Sequence, residues 1–71
     1  MKELSTEWTK DYDKLAYEAA NTPSGHFLIL GTIQASLDIN AAGYDTDEET
    51  IAHIRYLIQA YYKAKGFNME R

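Results

Sequence analysis

The chain has 71 residues, with eleven acidic side chains against seven basic ones and a formal net charge of −4. That length allows one domain near the lower limit for a self-supporting core, with a net stability of about 4–10 kcal/mol on size alone. The acidic balance argues against nucleic acid as a direct partner, and the absence of cysteine removes disulfides and thiolate zinc sites.

The N-terminal stretch MKELSTEWTKDYDKL is charged and lacks an apolar signal-peptide core. The longest apolar run, Phe27–Leu30, is far short of a membrane span. A soluble, cytoplasmic protein with no membrane contact is therefore expected. Ser5 is suited to cap a first helix, on which Leu4, Trp8, Tyr12, Leu15 and Ala19 share a stripe at about 100° per residue. Asn21 closes that helix. Thr22-Pro23 then carries a start signal, a hydroxyl at the N-cap with proline in the first turn, so a second helix is expected from Pro23 to Ala42.

The segment FLILGTI within it also suits a strand, but nothing else in the chain alternates with period two to pair with it. As a helix it has two apolar stripes. Leu30, Ile33, Leu37 and Ala41 form one; Leu28, Ala35, Ile39 and Ala42 form the other. Gln34 and Asp38 separate them on one side, Ser36 and Asn40 on the other. A helix apolar on two sides is covered on two sides, so the second helix is expected to lie between its neighbours, or to be covered in part by a second copy or another protein.

Gly43 suits a left-handed helix end, and Thr46-Asp47-Glu48-Glu49 is a capping box opening a third helix. On that helix Ile51, Ile54, Leu57, Ile58, Tyr61 and Tyr62 share an inner arc, with His53, Tyr56, Ala60 and Lys63 opposite. Its acidic first turn and basic last turn match the helix dipole. The expected fold is all-α, a three-helix bundle with helices at about 5–20, 23–42 and 47–65.

The corner DINAAGYDTDEE, Asp38 to Glu49, also overlays in part on an EF-hand loop, with Asp38, Asn40, Gly43 and Glu49 at the first, third, sixth and twelfth positions. Ala42 stands where a ligand oxygen belongs, Asp45 where an apolar residue belongs, and no second loop follows. A helix end, a turn and a capping box account for the same residues without an ion. Calcium on Asp38, Asn40 and Glu49 is the lesser alternative; otherwise no metal or cofactor is expected.

Neither histidine has a partner at metal spacing, and no nucleophile elbow or phosphate loop is present, so an enzyme is not expected. The expected function is an acidic helical module, an adaptor or inhibitor that binds another protein and self-associates. Tyr17, Tyr56 and His53 lie opposite the core stripes, and Leu28 and Ile39 lie on the surplus stripe. These are the candidate contact residues, together with Asp45, Asp47, Glu48 and Glu49. The alternative is an acidic decoy that occupies a nucleic-acid-binding surface of its target. Size, acidity and lack of cysteine also suit a viral or mobile-element accessory protein.

Overall fold

Caps written in the sequence set most of the helix ends. The computed structural model describes residues 4–66, which form α1 (Thr6–Ala20), α2 (His26–Ala41) and α3 (Asp47–Ala64), with no strand among the described residues. The protein is an all-α three-helix bundle. Ser5 is extended and its hydroxyl accepts from the Trp8 N–H at 3.4 Å, satisfying one of the orphan donors of α1. At the other end of α2, Gly43 takes φ 87°, and the amides of Gly43 and Tyr44 bond back to the carbonyls of Asn40 and Ile39. This is a Schellman closure. The capping box of α3 forms as read: Glu49 N–H donates to Thr46 Oγ1 at 3.1 Å, and Thr46 N–H donates to Glu49 Oε1 at 3.0 Å.

The start of α2 differs from the sequence reading. Thr22 does not cap it; its hydroxyl donates to the Glu18 carbonyl at 2.7 Å and so helps to close α1. The chain turns through Pro23 and Ser24, the latter at φ 60°, and α2 begins at His26 after Gly25. The cause is tertiary. Gly25 is buried against the last turn of α1, where a Cβ would stand 1.8 Å from the Ala19 carbonyl oxygen. The chain reverses so tightly that residues 22–25 cannot also be helix.

The buried core is Tyr12, Ala16 and Ala19 of α1, Ile29 of α2 and Leu57 of α3, with Leu4, Leu15, Ile33, Tyr56 and Tyr61 packed around it. Alanine on α1 lets α3 approach closely, and these two helices share the most extensive contact in the molecule. Trp8, expected in the core, sits at its rim and is 47% exposed. Phe27 is 65% exposed, and Ile51 and Tyr62, expected on the inner arc of α3, are also exposed. The inner arc of α3 is rotated toward His53 and Tyr56, both expected on the outer face and both half-buried here. Tyr12 supplies the reason. Its hydroxyl is carried into the α1–α3 contact and needs a partner there, which an Ile-lined face would not provide.

The helix α2 is not enclosed between its neighbours. Ile29 is its only buried residue; Thr32, Ile33, Ser36 and Asn40 are half-buried, and Leu28, Leu30, Leu37 and Ile39 are exposed. The seam that faces inward is the Ser36–Asn40 gap between the two apolar stripes. Both stripes become flanks, and of their large residues only Ile33 packs against the core.

Candidate functional site

The helix α2 combines two properties that rarely coincide on a solvent-facing element. His26 and Asp38 are its only ionisable side chains. Five of its large apolar residues are exposed: Phe27 at 65%, Leu28 at 44%, Leu30 at 55%, Leu37 at 50% and Ile39 at 41%. Ala35 and Ala42 continue the Leu28–Ile39 flank and Gly31 adjoins it; all three are exposed, with open space beyond Gly31. The outer face thus presents two apolar edges of leucine and isoleucine, with Gln34 and Asp38 exposed between them. Patches of this kind on small proteins mark contact surfaces.

A second cluster joins the helices. Tyr12 Oη and His53 Nδ1 are 2.7 Å apart, and Trp8 meets the His53 ring edge-on with centroids 4.8 Å apart. Burial raises the Tyr12 pKa above its usual 10, the nearby Ser36 hydroxyl acts in the opposite sense, and the charges of Asp45 and Asp11 raise it further. The Tyr12–His53 bond joins α1 to α3 and fixes their mutual rotation. Beside it, Tyr56 donates to Asp13 Oδ1 at 2.9 Å. The Tyr56 pKa is raised chiefly by desolvation and then by that carboxylate, with Thr9 opposing.

Acids from two elements meet at the remaining end. A cleft of about 290 Å³ is lined by Leu4, Ser5, Trp8, Asp45, Glu49, Ala52 and His53. Asn40 locks the adjoining corner, its amide donating to the Asp45 carbonyl at 3.1 Å and to Asp47 Oδ1 at 2.9 Å.

The residues singled out from the sequence therefore fall into three groups. Leu28 and Ile39 stand together on one flank of α2, exposed. His53 and Tyr56 belong to the helix–helix contact and are not free surface, while Tyr17 is 67% exposed. Asp45, Asp47, Glu48 and Glu49 cluster about the α3 start, Glu49 engaged in the capping box. The calcium geometry does not assemble. Asn40 presents its donor nitrogen to Asp45 and Asp47, Glu49 Oε1 accepts from Thr46, and no group of three or more metal-binding side chains exists among the described residues. Sequence reasoning missed the pairing of Tyr12 with His53, two residues 41 positions apart with no local signal to link them. Among the described residues no helix is long and apolar enough to cross a membrane. No protein-family model, curated protein or solved structure matches the chain.

Proposed function

We propose that this chain is a small, non-enzymatic protein-interaction module that docks a partner on the outward face of α2. The observation that carries the reading is the exposure of Phe27, Leu28, Leu30, Leu37 and Ile39 on a helix with one acidic side chain and no lysine or arginine. In an acidic chain this is the surface on which apolar burial meets the least charge desolvation. The other cluster supports the same reading. Its histidine and tyrosine are bonded to each other across α1 and α3, which gives the module a rigid scaffold rather than a reactive pair.

The test is a bait experiment with the full chain and two paired variants, Leu28→Glu with Ile39→Glu and Leu30→Glu with Leu37→Glu. A complex isolated with the unaltered chain, then rebuilt from purified components, should be weakened at least about tenfold by one of the pairs. A complex indifferent to both pairs would refute the reading.

One observation favours a second reading, the acidic decoy. Asp45 and Glu49 close against Ser5 and Trp8 of α1, and Asp11 and Asp45 both act electrostatically on Tyr12, so acids of two elements share one end of the bundle. This reading requires binding that weakens steeply with salt and is lost with Asp45→Lys plus Glu48→Lys. Salt-insensitive binding removes it.

A further inference from the structure

We infer that the exposed Leu28–Ile39 flank of α2 is covered by a second copy of this chain, packed antiparallel along Leu28, Gly31, Ala35, Ile39 and Ala42 about a two-fold axis at Ala35. The inference rests on reading that face as the docking surface. All five residues are exposed and lie on one side of α2, and none is charged. An isologous contact demands that one pattern be complementary to itself. This one is so in the antiparallel sense. With Ala35 on the axis, Leu28 stands opposite the partner's Ala42 and Ile39 opposite the partner's Gly31, a large residue facing a small one at each step. Parallel packing would instead set leucine on leucine at one end and glycine on glycine beside it.

Space and charge agree with the pairing. Nothing lies within 4 Å of a Cβ placed on Gly31, so that position is open to a side chain from outside. Each copy carries a net charge of −4, which opposes approach on most surfaces, whereas α2 holds a single carboxylate, Asp38, to one side of the stripe. The antiparallel sense also brings the α2 N-terminus of one copy, with exposed Phe27, to the corner of the other, with Tyr44 at 82% exposure. Two aromatic residues that the single chain leaves in water then share each end of the contact.

The contact is small. A stripe spanning about 20 Å of helix buries on the order of 400 Å² from each copy, about half of a standard interface. A contact of that size is the mark of a weak, transient dimer, populated only at high concentration.

Sedimentation equilibrium of the full chain from about 5 to 500 µM reads this directly. Half-dimerisation within that range is expected, with Leu28→Glu plus Ile39→Glu weakening it at least about tenfold while helical circular dichroism is retained. Because the chain lacks cysteine, Ala35→Cys introduces a unique thiol, expected to link two copies on oxidation, whereas Arg55→Cys on the exposed side of α3 should not. A monomer throughout the range, or a dimer indifferent to the paired glutamates, overturns the inference. A monomer whose heterologous complex is still broken by those glutamates overturns the second copy alone and leaves the docking face standing. Indifference in both assays removes both.

Discussion

Substituting Gly25 by alanine tests the packing of α2 on α1, because local and tertiary reasoning predict opposite signs. Gly25 has φ −60° and ψ −20°, a conformation any residue adopts without strain. On backbone entropy alone, alanine at such a position stabilises a protein by about 0.4–1 kcal/mol. The fold says otherwise. The added Cβ would lie 1.8 Å from the Ala19 oxygen, 2.6 Å from its carbonyl carbon and 2.8 Å from its Cα, all of them backbone atoms that no rotamer change can move. Restoring van der Waals contact displaces the start of α2 by about 1.5 Å, one turn before Ile29, its only buried residue, and overpacking of this severity costs about 2–4 kcal/mol. Against a total of about 4–10 kcal/mol, the net loss is a large fraction of the stability. Urea unfolding followed by helical circular dichroism, with Trp8 fluorescence as a second probe, should show a lower midpoint at unchanged slope. The melting temperature should fall by about 10–20 °C. Equal or greater stability than the unaltered chain would refute the close approach of α2 to α1.

Gly31→Ala is the matched control: its Cβ meets open space inside α2, so it should stabilise the monomer by about 0.5–1 kcal/mol, read by the same unfolding assay at low concentration. Tyr12→Phe leaves His53 Nδ1 without its 2.7 Å partner in a half-buried site and should cost about 1–2 kcal/mol in urea unfolding. The alkaline limb of stability has a definite sign. The pKa values of Tyr12 and Tyr56 are raised in the folded chain, so their contribution is complete below the unfolded value of 10 and is lost as pH rises through the folded values. Unfolding free energy measured from neutral to strongly alkaline pH should therefore fall above 10, and less steeply in Tyr12→Phe. Thr46→Ala opens the capping box and should cost about 1 kcal/mol by thermal melting, with Glu49→Gln milder because an amide oxygen still accepts from the Thr46 N–H.

What was legible in the sequence was what neighbouring residues decide among themselves. Ser5, Gly43 and the Thr46–Glu49 pair act within a turn of their own positions, and each ends or begins a helix where expected. The entry to α2 was not legible, because Thr22-Pro23 carries a genuine start signal that is overruled by the contact of Gly25 with Ala19. Nor was the rotation of α3. Apolar periodicity assigned its inner face to Ile51 and Tyr62, but the face is chosen by Tyr12 and Asp13, which bond to His53 and Tyr56 from 41 and 43 residues away. The two stripes of α2 were read correctly as sequence, and their coverage was not. With α1 and α3 paired to each other, the central helix has one inward seam and two flanks. That outcome carries the functional reading.

Backbone amide shifts of the labelled chain, followed on dilution from about 500 to 5 µM, test that reading most directly. The account predicts changes concentrated between Leu28 and Ala42, with Tyr44 joining them and the exposed face of α1 around Tyr17 unmoved. Invariant α2 resonances across the series, or changes centred on α1, would contradict it.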